Sequence, residues 1–311
     1  MHRIPSYDDL DSLRDVINTM YPIRATQIQK HRDWIGYVYQ VATADKRYVF
    51  KLYRSFHAEN AENAVGILQF LTERGYPVPG MVRTLSGPYL TQLDTPGGQS
   101  LAILFEHVDG TEPGWEQEIE AIAEQTGTLH RLMEQYTGPL AKHGKPFFID
   151  RYLRLLAEKD LSAAVISDIT DYGQALWDSV SRLPKGFCHG DLHCGNMLRG
   201  SAGQYWLFDF DAACQAFPAV DMAWMSDDTN YFELGPQDYE NTARKLDRFV
   251  SGYARIRVPT EAEIRSVYDW IAIKHYDIQA TIAQCQGTDV SLLEQQHGWL
   301  MRWRELCAQK G

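Results

Sequence analysis

The sequence has no basic excess, no disulfide framework and no long apolar run, and each absence narrows what the protein can be. Lysine and arginine number 30 against 41 acidic residues, a formal net charge of −11. Binding a nucleic-acid backbone calls for the opposite sign, so no nucleic-acid partner is expected. The same acidity suits a cationic small molecule, and it equally suits plain solubility. Only five cysteines occur in 311 residues, odd in number and scattered, which points to a reducing compartment. No basic start with an apolar core opens the chain, and no apolar stretch approaches membrane-spanning length. A cytoplasmic location and no membrane partner are therefore expected. Nothing in the composition bears on oligomeric state.

What is present is enough for a sizeable core. With 44% hydrophobic and 23% charged residues, the chain should fold as about two lobes or domains. Leu10, Leu13, Val16, Ile17 and Met20 recur at helical spacing, with Ser6 and Asp8 able to cap the start. Residues 24–31, 36–43 and 47–53 alternate and are rich in β-branched and aromatic types, and Ala44-Asp45-Lys46 turns the last two into a hairpin. A helix is expected from about His57 to Arg74, with Val65, Leu68 and Leu71 inward, ended by Gly75 and Tyr76-Pro77-Val78-Pro79. Strands at 81–84, 89–93 and 101–107 would complete an antiparallel sheet. From Trp115 the period changes to 3.6, and Ile119, Ile122, Ala123, Thr126, Leu129, His130 and Met133 form one stripe. On that stripe His130 reads as a core histidine with a hydrogen-bond partner. Further helices are expected near 150–160, 168–183, 236–254, 260–286 and 289–308.

The chemistry concentrates in Phe187 to Asp211, FCHGDLHCGNMLRGSAGQYWLFDFD. Asp191 is followed by Asn196 five positions on, and by Asp209 at the end of the apolar run Tyr205 to Phe208, eighteen positions beyond Asp191. Phosphoryl transfer needs this set: Asp191 to accept or orient the proton of an attacking hydroxyl, Asn196 and Asp209 as hard oxygen ligands for magnesium on a nucleotide. Asp211, two residues beyond Asp209, can add a metal contact. The three aspartates would repel one another unless a cation is bound. Cys188, His189, His193 and Cys194 also crowd together in the manner of zinc ligands. Adjacent side chains diverge, however, and no second cluster completes a tetrahedral site.

The D-x4-N pattern, the apolar strand and the Asp-Phe that follows resemble the catalytic and metal-binding segments of the protein-kinase-like superfamily. More narrowly, HGDLHCGN and FDFD resemble the aminoglycoside phosphotransferase and choline kinase family. That resemblance implies an α+β, bilobal kinase-like fold. Its smaller antiparallel-sheet lobe, residues 1–107, would bind nucleotide, and its larger, mainly helical lobe, 108–311, would carry catalysis and acceptor binding.

The implied activity is transfer of the γ-phosphate of ATP, with magnesium, to a hydroxyl of a small molecule such as an aminoglycoside, choline, homoserine or a sugar. It also implies roles by position. Lys51 would stand beside the α- and β-phosphates, with a carboxylate from the following helix, Glu62 or its rival Glu59, to hold it. The connection from His31 to Gly36 would cover the phosphates, although Gly36 is its single glycine and the GxGxxG of protein kinases is missing. Backbone groups near Glu106 and Val108 would meet the adenine edge. His189 would hold the catalytic loop rather than act as the base, and Asp221 would brace that loop or cap a helix.

Only ten positions separate Asp211 from Asp221 and no Ala-Pro-Glu follows, leaving little room for a regulatory activation segment. An atypical bacterial serine/threonine protein kinase and a silent nucleotide-binding scaffold remain the rivals. The acidic stretch from Asp227 to Glu240, interleaved with Tyr231, Phe232 and Tyr239, suits an amine or quaternary ammonium acceptor, or a solvated surface. The choice between ATP and GTP stays open.

Overall fold

A computed structural model describes residues 2–33, 36–54 and 58–310. The chain divides into two compact units, one of residues 1–112, 136–140 and 195–213, the other of 113–135, 141–194 and 214–311.

The first unit is built on a six-stranded sheet in the order β1-β5-β6-β4-β3-β2. Its strands are β1 (His2–Arg3), β2 (Gln27–Arg32), β3 (Gly36–Ala42), β4 (Arg47–Tyr53), β5 (Leu90–Thr95) and β6 (Gly98–Glu106). All neighbours are antiparallel except β1, which lies parallel to β5. The period-2 alternation works as expected. Tyr48, Phe50 and Leu52 of β4 enter one core with Tyr39, Val41 and Leu104, sealed by Leu13, Val16 and Ile17 of α1 (Leu10–Met20). Asp9 caps that helix through the Ser12 N–H, one residue after the cap candidate Asp8.

The opposite face packs Tyr53 and Ile103 against Ala61 of α2 (Ala58–Glu73). Residues 81–84 do not form the expected strand. Met81 makes one isolated bridge to Phe105 and the Val82 N–H still reaches Leu104 O, but the Thr84 N–H closes a local turn on Pro88 O, with Gly87 at φ 108°. The same unit holds the hairpin β9 (Met197–Arg199) with β10 (Tyr205–Leu207).

The second unit is mostly helical. Its helices are α3 (Trp115–Met133), α4 (Arg151–Ala157), α5 (Ala163–Val180), α6 (Ala219–Ser226), α7 (Asp238–Tyr253), α8 (Glu261–Arg265), α9 (Val267–Gln286) and α10 (Val290–Lys310). Residues Pro146–Asp150 form a π-helical turn before α4. The expected single helix over 260–286 breaks at Ser266 into α8 and α9, with Thr260 and Glu263 forming a capping box. Trp270, Tyr276, Phe217 and Trp303 lie wholly inside. A small sheet, β7 (Ala141–Lys142), β11 (Cys214–Ala216) and β8 (Gly186–Cys188), carries the chain into the catalytic stretch. In it Cys188 and Cys214 stand opposite one another, and both are free thiols. Among the described residues no helix is long and apolar enough to cross a membrane.

Candidate active site

In the first unit the alternation that buries Phe50 and Leu52 turns Lys51 and Tyr53 to the other face of β4. The Lys51 ammonium lies 2.6 Å from Asp209 Oδ1 and 2.6 Å from Asp211 Oδ2. Tyr53 donates its hydroxyl to Asp211 Oδ1 at 3.0 Å. Burial alone would lower the lysine pKa, but the two carboxylates outweigh it and hold the ammonium well above the usual range.

The aspartates meet because of a backbone break. The Leu207 N–H donates to Pro77 O, and the Phe208 N–H to Asn196 O at 3.1 Å. Asp209 then adopts φ 67°, the only left-handed non-glycine conformation among the described residues. A strand would send residues 209 and 211 along one line. The left-handed residue instead starts the turn Phe210–Ala212, buries Phe210 and brings both carboxylates to one ammonium. Such a conformation costs about 1–2 kcal/mol in an L-residue and is eased in aspartate by its short polar side chain; strain of this kind gathers at functional sites.

The donor set suits magnesium. Asn196 is buried and tied through its carbonyl to the residue before Asp209, and two carboxylates face a single positive charge. Burial pushes the Asp211 carboxyl up to about 6; Lys51 pulls it down and the Asp209 charge pushes it further up. These are hard oxygens with charge in excess, as a divalent cation requires. No three His, Cys, Asp or Glu side chains come together as ligands among the described residues.

The expected lysine partner is not where the sequence put it. Glu62 and Glu59 are both exposed on α2, while Ala61, Ala64, Leu68 and Leu71 face inward. Glu62 lies one residue, about 100° of helix, past that stripe, and Lys51 pairs with the aspartates instead. Of the expected phosphate-covering connection, Trp34 and Ile35 lie outside the described residues; Gly36 packs against β4, where a Cβ would come 3.1 Å from Leu52 O. The Glu106 N–H is taken by Gly80 O at 2.8 Å and the His107 N–H by Arg47 O at 3.1 Å. Val108 is half-buried just beyond.

In the second unit β8 delivers His189-Gly190-Asp191, with Gly190 at φ 81°. Asp221, in the first turn of α6 and fully buried, accepts from the His189 N–H at 2.7 Å and the Gly190 N–H at 2.9 Å. His130 Nε2 meets the same carboxylate at 2.9 Å, and its Nδ1 lies 2.6 Å from the Tyr253 hydroxyl. Arg257 donates to that hydroxyl and to Glu263, at 3.3 and 2.9 Å. An arginine only donates, so the donors around it assign the tautomer: Tyr253 donates to Nδ1, and Nε2–H donates to Asp221. The Asp191 N–H donates to His189 Nδ1 at 3.3 Å. That leaves the buried imidazole holding the loop, while the Asp191 carboxylate is half-exposed with His193 Nε2 3.7 Å away.

Sequence reading missed Arg151 and Asp277. Arg151 pairs with Asp277, donates to Thr281 at 3.3 Å and stacks its guanidinium over Phe147. Burial pushes the Asp277 carboxyl up to about 6; Arg151 opposes this and the negative charge of Asp191 adds to it. No motif signals the pair, because its members are 126 positions apart. In the acidic stretch, by contrast, four carboxylates are held by protein cations and N–H groups. Asp227 binds Lys274 at 3.1 Å, Asp228 binds Lys245 at 3.5 Å and Glu240 binds Lys310 at 2.5 Å. Asp238 accepts from the Gly235 N–H.

A homoserine kinase of Methylobacillus flagellatus is 26% identical over 187 residues, 60% of this chain and 57% of that one. An amicoumacin kinase solved with AMP-PNP and Ca2+ superposes with a TM-score of 0.75 at 19% identity, covering 98% of this chain and 94% of that one. A microcompartment-associated aminopropanol kinase gives 0.72 at 14% identity, covering 97% of each chain. These likenesses show the kinase-like fold. Residues 27–258 match the model of the phosphotransferase enzyme family, and with three quarters of its length inside that match the chain belongs to that family.

Proposed function

We propose that the protein transfers the γ-phosphate of ATP to a hydroxyl of a small molecule. The observation that carries this is the convergence of Lys51, Asp209 and Asp211, supported by family membership and by kinase relatives. Nucleotide binding belongs to the lobe of residues 1–107 together with Asn196, Asp209 and Asp211, and acceptor binding to the lobe 108–311. Lys51 would turn its ammonium to the phosphates; Asn196, Asp209 and Asp211 would hold magnesium, which supplies charge neutralisation when bound. Backbone groups near Glu106 and Val108, and the connection ending at Gly36, would border the nucleotide.

Asp191 orients the acceptor hydroxyl and takes its proton as the new P–O bond forms and the bond to the β-phosphate breaks, releasing ADP. In so loose a transfer its positioning outweighs its basicity. His189 and Asp221 fix the loop that carries it. The acceptor is cationic in this reading: the half-exposed Asp191 carboxylate, with Asp277 adding negative charge beside it, would pair with an amine.

The test is a thermal-shift titration with ATP and GTP, each with and without magnesium, followed by amines, amino acids and sugars as acceptors. A ligand binding only the folded state raises the midpoint. A magnesium-dependent rise followed by phosphorylation of an acceptor hydroxyl is the expected result. No shift with either nucleotide up to millimolar concentration would leave a catalytically silent scaffold.

A further inference from the structure

Lys51 would have one positive charge to share among three anionic partners. In the arrangement described it contacts both Asp209 and Asp211 at 2.6 Å, yet the proposed function asks its ammonium to serve phosphate oxygens. When it does so, its single charge is drawn away from Asp211. Asp209 can only repel Asp211, and among the described residues a neutral donor that meets it is the Tyr53 hydroxyl, 3.0 Å from Oδ1.

Tyr53 is placed for this by the strand itself. Two residues beyond Lys51 on β4, it shares that residue's face; it is buried against Ala61 and Ile103, and its ring lies beneath the Lys51 ammonium, 5.2 Å from its centroid. A phenol hydroxyl is a donor, and here it donates to Asp211 Oδ1. We propose that Tyr53 is a positioning residue that keeps the Asp211 carboxylate aimed as a magnesium ligand once Lys51 has moved to the nucleotide. The inference rests on the kinase reading above and adds to it a residue that no motif contains.

Tyr53→Phe tests it, because the ring beneath Lys51 remains and only the hydroxyl goes. At fixed ATP, the magnesium concentration giving half the thermal shift should rise about tenfold, the worth of one hydrogen bond to a charged group. Nucleotide binding without magnesium should be unchanged. In an Asp211→Asn background the same change should move the magnesium midpoint no further, since the two residues act as a unit. With an acceptor identified, kcat should fall while the acceptor KM holds. A purely structural role would lower the ligand-free melting temperature and leave the magnesium midpoint alone, and that result overturns the proposal; so does full additivity with Asp211→Asn. A wild-type protein with no magnesium-dependent shift would instead bring down the kinase reading, and this one with it.

Discussion

The carboxylate of Asp221 accepts the backbone N–H of His189 at 2.7 Å, so a residue at the start of one helix sets the backbone of the HGD loop. Two further donors, Gly190 N–H and His130 Nε2–H, end on the same group. Asp221→Ala orphans all three inside the protein, at roughly 1–3 kcal/mol each for an unsatisfied buried donor. A loss on the order of 3 kcal/mol or more in urea unfolding is expected, and a loss below 1 kcal/mol would show that the brace is not structural.

Asp191→Ala should behave in the opposite way. The carboxylate is half-exposed, so folding and nucleotide affinity should stay near wild type while transfer is abolished. Isothermal titration with ATP and magnesium, beside a phosphorylation assay, reads both. Full-rate transfer by the variant would remove Asp191 from the chemistry.

Position 209 carries two burdens that substitutions can separate. Asp209→Asn keeps a side chain that tolerates φ 67° and should fold nearly as well as wild type; Asp209→Ala should be less stable than the asparagine variant by about 1 kcal/mol from backbone strain. Both should lose magnesium-dependent nucleotide binding. Equal stability of the two variants would mean the left-handed turn costs nothing here.

A pH effect follows from Asp277. Its folded pKa of about 6 exceeds the ordinary unfolded value near 4, so the folded protein takes up a proton that the unfolded chain does not. The resulting stability is full below about pH 4 and is lost as pH rises through about 6. The stability of wild type minus that of Asp277→Asn should therefore fall between about pH 4 and 6 and level off above. A difference that is flat across that window would refute the raised pKa. Asp211 has the same sign and remains in the variant.

How much of this was legible depended on whether the signal was local. The strand alternation of 47–53, the 3.6 stripe of 115–133 and the spacing of Asp191, Asn196 and Asp209 are each written within a few turns of chain, and the sheet, the helices and the catalytic stretch followed from them. The partner of Lys51 was not local. It is 158 positions away, and choosing Glu62 required knowing the rotation of α2, which its alanine-rich inner stripe leaves ambiguous. Arg151 with Asp277, and Cys188 opposite Cys214, were hidden for the same reason: only the packing of distant elements creates them. The strand expected at 81–84 failed for a different cause, since the Thr84 N–H closes a local turn on Pro88 O instead of extending the ladder, which hydrophobicity alone does not register.

The directional chain from Arg257 through Tyr253 and His130 to Asp221 also gives the molecule a built-in spectroscopic reporter. One imidazole N–H, buried and held by a carboxylate, should resonate far downfield in a proton NMR spectrum and exchange slowly with solvent. Because its acceptor is also the anchor of His189 and Gly190, that single line would broaden or move whenever the loop loosens, and it can be followed in the ligand-free protein before any acceptor has been found.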